Sequence, residues 1–391
     1  MSVTLTPIED FDLNGVTVNA TEPLPAMGPL AQTVIHLVGT APNKTGVEYN
    51  EPIRLYNYSD AMVTLDSVGT REGTLPYVVR YLLQYVKCVL YVTIVEQGED
   101  NAATESNVIG GVDSTTGAYT GLQTIKQCPE TPTVIGAPGF SSTALGQELA
   151  LMGRDVRAVP VIDGPNTTNQ AAAEFAAEFG SEGTGEDKLC IIDPWFLKTY
   201  DDAQQLMPAS IALIAAMANI EGYESPQNQT VVCDDTSRPI SYKINDDTTE
   251  ANFLNKYGVV TIAHTRMGGY SIIGNRANTG RFIAHVGLED LLARKLEETS
   301  QPLMGKLITQ QFVTNVVDRL NNWGQDLVAN GVIPLFKVFL HPSKNTVDAY
   351  TSGKWYLCFN YGRYSPNEHM IYEMSADNGL VETWWENIVD E

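Results

Sequence analysis

Cysteine is scarce and scattered. Cys88, Cys128, Cys190, Cys233 and Cys358 are odd in number and never form a C-x-x-C pair. That spacing excludes a disulfide framework and a thiolate zinc site, and predicts buried free thiols in a reducing compartment. Basic charge is also short: 24 Lys and Arg stand against 47 Asp and Glu, a net charge of −23. A surface so acidic argues against direct nucleic-acid binding. Long apolar runs are missing as well. Arg80, Gln84 and Lys87 interrupt the run at 78–95, and the run at 208–220 is too short to span a bilayer, so no membrane insertion is expected. The start lacks a basic stretch followed by an apolar one, and no signal peptide is visible.

Catalytic signatures are absent too. Gly follows strands in IGAPGF and IDGP, but there is no G-x-G-x-x-G. GSEGTGEDK (180–188) does not satisfy the phosphate-loop pattern either. His36, His264, His285, His341 and His369 lie far apart, with no metal-binding spacing. Asp163, Asp193, His264 and several serines are the raw material of a hydrolase triad, yet no serine sits in a nucleophile elbow. The doublets Asp234-Asp235 and Asp246-Asp247 read as solvated loop charge rather than calcium ligands. No catalytic residue, cofactor or metal is expected.

What is present is organised. Residues 1–255 carry 12 basic and 33 acidic side chains, residues 256–363 carry 12 and 7, and residues 364–391 carry none and 7. The basic segment predicts an acidic partner. Residues 1–28, rich in proline, read as an extended arm. From about 30 to 230, apolar strands (33–42, 87–97, 131–140, 158–165, 188–196) alternate with helices (74–86, 146–157, 169–180, 207–222), the pattern of a mainly parallel α/β sheet. Residues 225–251 read as an irregular insert. FLNKYGVVTIAHTRMGGYSIIGNRA (253–277) then opens a second, α+β domain with helices near 284–299 and 302–330.

The tail is unusual. In HMIYEM, Met370, Tyr372 and Met374 alternate as on a strand. In VETWWENIVDE, Val381, Trp384, Trp385, Ile388 and Val389 fall on one helical face. A sticky chain end is unfavourable in a monomer and useful where a neighbour supplies a sheet edge.

An ordered set of stretches resembles the tail sheath proteins of contractile bacteriophages and of phage-tail-like injection particles. They are NGVTVN with TVIHLVGTAP, LPYVVRYLLQYVKCVLYVTIVEQG, GLQTIKQCPETPTVIGAPG, LCIIDPW, MPASIALIAAMANIEGYESPQNQ, the 253–277 stretch, WGQDLVANGVI and SPNEHMIYEM. The chain departs in having Ile273 where relatives often have Trp before Gly274-Asn275-Arg276. It also has Arg281 and then Arg294-Lys295 where they usually have a single Arg pair.

The resemblance implies an outer subtilisin-like α/β domain without catalytic residues (29–252) and an inner C-terminal α+β domain (253–366). It adds an N-terminal arm (1–28) and a C-terminal strand and helix arm (367–391). It implies stacked hexameric rings around a tail tube and contraction that drives the tube through an envelope. The implied partners are further copies of the chain, the tube, the baseplate and the tail terminator. The implied location is the tail of a virion or tail-like particle, assembled in the bacterial cytoplasm. Val16, Val18, Met370, Tyr372, Met374, Trp384 and Trp385 become candidates for contacts between subunits. Arg294, Lys295, Lys306 and Arg319 become candidates for facing the tube. The alternatives are a subtilisin-like hydrolase and a non-contractile shell protein.

Overall fold

The computed structural model describes residues 26–181 and 183–389. They form two compact units: Leu30–Glu298 with Arg363–Glu391, and Thr299–Gly362 with residues 26–29. Val16 and Val18 lie outside the described residues.

The larger unit starts with β1 (Val34–Thr40), β2 (Pro52–Leu55), α1 (Tyr58–Leu65), α2 (Leu75–Tyr85) and β3 (Val89–Val95). It continues with α3 (Asn101–Ile109), the short hairpin β4 (Gly111–Val112) and β5 (Tyr119–Thr120), β6 (Val134–Gly136), α4 (Thr143–Val156), β7 (Val159–Asp163) and α5 (Asn169–Ala177). Next come β8 (Cys190–Ile192), β9 (Phe196–Tyr200), β10 (Ala203–Met207), α6 (Ala209–Ala218), β11 (Thr230–Val231) and β12 (Asp235–Thr236). The last elements before the smaller unit are α7 (Glu250–Lys256), β13 (Val259–His264), β14 (Tyr270–Ile273) and α8 (Ile283–Ser300).

Nine strands form one sheet in the order β11-β14-β13-β8-β7-β6-β1-β3-β2. The six from β13 to β3 run parallel, and antiparallel strands flank them on both sides. Parallel strands are covered on both faces, which is why they read as unbroken apolar runs. Along β1, Ile35 and Leu37 enter the core layer of α2 and α6, while Val38 enters the layer of α4, α5 and α7. The helix at 209–218 is apolar all round and buried from Ala209 to Met217. Asp100, Ser142 and Thr168 cap α3, α4 and α5, each side chain accepting an N–H of the first turn. A separate three-stranded sheet, β10-β9-β12, packs beside the main one. Among the described residues no helix is long and apolar enough to cross a membrane.

The division between units falls at Glu298–Thr299, not at the expected 252–253. The cause is strand pairing. Val259 and Val260 of β13 pair with Ile191 and Ile192 of β8, and β14 pairs with β13, so this stretch extends the main sheet. Residues 225–251, expected to be irregular, supply two short strands to the two sheets.

In the smaller unit, α9 (Gln310–Ala329) packs on a hairpin of β15 (Phe336–Leu340) and β16 (Leu357–Tyr361), with α10 (Val347–Thr351) between them in sequence. Leu320, Trp323 and Leu327 form the buried face of α9. Trp323 and Phe336 both lie against Phe359, at 5.4 and 5.9 Å between ring centres. Gly324 is required there, since a Cβ would stand 2.4 Å from the Phe336 ring. The chain then returns to the larger unit and ends in α11 (Asn378–Val389). The strand expected at 369–374 is not formed. A strand exists only by pairing, and this segment has no paired neighbour among the described residues.

Candidate functional sites

The carboxyl ends of β1, β6, β7 and β8 define where a ligand would bind in an open α/β sheet, at the switch between β1 and β6. That crevice is filled by the protein's own polar groups. The Thr40 and Thr74 N–H groups each donate to the other's hydroxyl at 3.1 Å. Asp163, at the end of β7, is fully buried and accepts the N–H groups of Gly139 (2.8 Å) and Ser210 (2.7 Å) and the Ser210 hydroxyl (2.8 Å). Burial lifts its pKa to about 7, partly opposed by those donors. Asp193 follows β8, accepts the Asn166 N–H at 2.7 Å and pairs with Arg238. Its pKa is raised by burial, against the pull of Arg238.

Ser210 is fully buried, so no substrate could reach its hydroxyl. His264 is exposed, and its ring lies edge-on to Tyr270. The three triad candidates therefore serve separate structural roles. Asp163 holds the first turn of α6, and Asp193 pins the loop after β7.

The acidic doublets are turn acceptors. Asp234 accepts from the Thr199 N–H and pairs with Lys198 at 3.5 Å. Asp235 accepts the Tyr270 hydroxyl at 2.7 Å. Asp246 accepts from Thr248 and pairs with Lys243 at 3.2 Å. The hydrogen bonds from Thr199, Tyr270 and Thr248 are the leading causes that lower the pKa values of Asp234, Asp235 and Asp246 respectively. Among the described residues no cluster of three His, Cys, Asp or Glu could hold a metal ion.

The four tube-facing candidates divide between the two units, Arg294 and Lys295 in the larger and Lys306 and Arg319 in the smaller. Arg294 sits on α8 and is only 5% exposed. Its guanidinium donates to the carbonyls of Thr131 (3.0 Å), Pro132 (2.6 Å), Val156 (3.2 Å) and Arg157. It ties α8 to the turns before β6 and after α4, and it cannot grip an outside partner from there. This corrects the expectation for Arg294. Lys295 is half-buried on the same helix. Lys306 and Arg319 belong to the smaller unit. Lys306 is exposed, and half-buried Arg319 donates to the Thr299 carbonyl at 3.2 Å.

The C-terminal candidates are all on the surface. Met370, Tyr372 and Met374 are 59, 77 and 92% exposed, and every described residue of α11 is exposed, including Trp384 and Trp385. Among the described residues their apolar side chains rest on no core of their own. In the smaller unit Met304, Leu307, Leu335, Val347 and Tyr350 are likewise exposed. Sequence reasoning missed the polar contacts that hold the root of the tail: Arg276 to Glu368, Arg363 to Glu289, and His285 to the Tyr364 carbonyl. Nothing in local periodicity signals them.

No family model matches the chain. In sequence it is 28% identical to a prophage major tail sheath protein of Pseudomonas aeruginosa strain UCBPP-PA14, over 78% of this chain and 80% of that protein. It is 24% identical to the tail sheath protein of Escherichia phage P2, over 87% of this chain and 89% of that one. Among solved structures it shares the fold of the sheath of an extracellular contractile injection system, PVC, in the contracted state. The TM-score is 0.70 at 16% identity, over 96% of this chain and all of that one. The contracted helical sheath of the anti-feeding prophage gives a TM-score of 0.68 at 16% identity, over 94% of this chain and all of that one. In sequence over most of its length this chain is similar to tail sheath proteins of phages and prophages, and in fold over nearly all of it to the sheaths of contractile injection systems.

Proposed function

We propose that the chain polymerises as stacked hexameric rings around a tail tube, in a phage tail or a tail-like injection particle. Contraction of the sleeve then drives the tube through a target envelope. The observation that carries this reading is the pairing of an unsatisfied tail with an unsatisfied sheet. The tail presents alternating Met370, Tyr372 and Met374, then the apolar face of α11, with no core beneath them. Among the described residues the β15–β16 hairpin has only two strands, so each has one edge that no described strand pairs. Added strands from a neighbour's arms would complete it, and head-to-tail exchange of this kind builds helical polymers rather than closed pairs.

On this reading the larger unit is the outer domain, a subtilisin-like frame whose polar groups have structural duties. The smaller unit is the inner part. The expected grip on the tube falls to Lys306 and Arg319 there and to Lys295 on α8 of the larger unit, since Arg294 is buried. The sleeve meets the baseplate at one end and the terminator at the other, and assembles in the bacterial cytoplasm. The extended sleeve is held by a kinetic barrier, and its energy is stored at assembly.

Electron microscopy of the purified protein tests the reading. Hollow ridged tubes of one width are expected. Flat lattices would favour a shell protein, and turnover blocked by a serine-directed probe would favour a hydrolase.

A further inference from the structure

The Gly274-Asn275-Arg276 turn follows β14 and has no part in the crevice, yet it is rigidly built. Gly274 has φ +118, and a Cβ there would stand 2.6 Å from Asn255 Oδ1 and 3.2 Å from the Val260 Cα. Only glycine fits that close approach. Asn275 is buried, and its carbonyl accepts the Ile283 N–H at 2.9 Å, where α8 begins. Arg276 is therefore fixed at its backbone. Its guanidinium lies 3.9 Å over the Phe282 ring and donates to the Gly280 carbonyl at 2.6 Å. What remains, Nε and Nη2, faces one target. They donate to the two oxygens of Glu368 at 2.8 and 2.5 Å. A planar fork meeting both carboxylate oxygens is the most directional ion pair available.

Two more contacts hold the same short stretch. The Tyr364 carbonyl is 3.1 Å from His285 Nε2, and Arg363 pairs with Glu289. Glu289 is itself held by Arg281, which also pairs with Asp187. A cleft of about 700 Å³, lined by Asn228, Tyr242 and Asn252 among others, runs beside residues 367–372. The side chains from His369 to Met374 are exposed.

We propose that residues 363–368 are a latch that fixes the origin of the C-terminal arm, with Arg276 as its positioning residue. This rests on the reading of the tail as an arm shared between subunits. The latch sets the arm's free length. From His369 to Asp377 the chain can span at most about 30 Å before α11 begins, and releasing 363–368 would add about 20 Å. The Arg276–Glu368 pair is 39 and 36% exposed, so it is weak enough to open and sensitive to salt. One subunit could thus hold its arm at a fixed reach during assembly and lengthen it when neighbours move apart.

Limited trypsin cleavage after Arg363 in the soluble subunit reads the latch directly. Arg276→Gln and Glu368→Gln should each speed that cut at least fivefold while cuts elsewhere and the thermal midpoint stay unchanged. The double variant should be no faster than either single one, because both remove the same contact. Cleavage that is unchanged in both single variants overturns the latch. So does wild-type cleavage as fast as in an unfolded peptide, or additive effects in the double variant. Polymer formation is scored separately. Faster cutting with tubes that need no tail would leave the latch standing and sink the shared-arm reading.

Discussion

Ser210 meets Asp163 twice, through its backbone N–H to Oδ1 at 2.7 Å and its hydroxyl to Oδ2 at 2.8 Å. The contact joins the end of β7 to the first turn of α6 across 47 residues of sequence. It places a carboxylate at the positive end of a fully buried helix, which is a structural use of two groups that a hydrolase would employ differently.

The first prediction concerns this carboxyl. Its pKa is about 7 in the fold against 3.8 when unperturbed. A raised value means the group's contribution to stability is complete below 3.8 and is lost as pH climbs through 7. Between pH 5 and pH 8 wild-type stability should fall by about 3 kcal/mol from this source. Asp163→Asn should lack that fall. Urea unfolding at the two pH values measures it, and equal slopes in both proteins would show that the donors keep Asp163 ionised throughout.

His36 has the opposite sign. It is fully buried, sits 2.9 Å from the Thr93 hydroxyl, and burial lowers its pKa to about 3. Its contribution is present above pH 6.5 and lost as pH falls from 6.5 toward 3. His36→Gln should move the midpoint of acid unfolding to lower pH, even if it costs stability at neutrality. An unmoved acid midpoint would mean another group triggers unfolding.

Arg294→Ala should behave as a core lesion. Four carbonyls lose a charged donor, and a loss of about 3 kcal/mol is expected in urea unfolding. A variant that stayed as stable as wild type but failed to bind tube would restore Arg294 as a tube contact. Lys306→Glu is the complementary variant. It should leave stability within about 0.5 kcal/mol, as exposed substitutions do, and weaken tube binding at low salt.

The arms are tested by truncation. A chain ending at Glu368 should keep the unfolding midpoint of the body, because the residues it loses bury nothing of their own. Sedimentation should find it as a non-polymerising subunit. Normal tubes from this chain, or from one lacking residues 1–20, would remove that arm from the assembly.

Thiol reactivity offers a fifth check. Burial pushes Cys88 and Cys128 up to about 11, and Cys190 and Cys233 up to about 12. These four should resist a thiol reagent at pH 8 in the native protein and react promptly in denaturant. Rapid native labelling of Cys190 would contradict its place in β8.

Much of the frame is legible along the chain. The apolar run at 209–217 announces a helix buried on every side, and the β-branched run at 89–95 announces a central strand. Both signals are local. The pairing of β13 with β8 is not, because nothing in VVTIAH says which of several apolar strands it will join. That is why a boundary drawn at 252–253 misses the unit division. Arg294 misleads for a related reason. With Asp290, Glu297 and Glu298 at helical spacing it resembles a solvated charged face, and only the carbonyls arriving from residues 131, 132, 156 and 157 bury it. The tail is legibly apolar in its sequence, but the partner of a strand lies outside any local pattern.

The route of the chain through α8 has a consequence for how such a protein can diversify. The chain leaves the frame at Glu298, near the end of α8, and rejoins it on the same helix, where Arg363 meets Glu289 and Tyr364 meets His285. Nine residues of helix separate Glu289 from Glu298, about 14 Å at 1.5 Å per residue. Residues 299–362 are therefore one continuous cartridge of sequence, entered and left beside the same helix. A lineage could swap that cartridge to suit a new tube, lengthen it or rework its surface, without renegotiating a single strand of the nine-stranded frame.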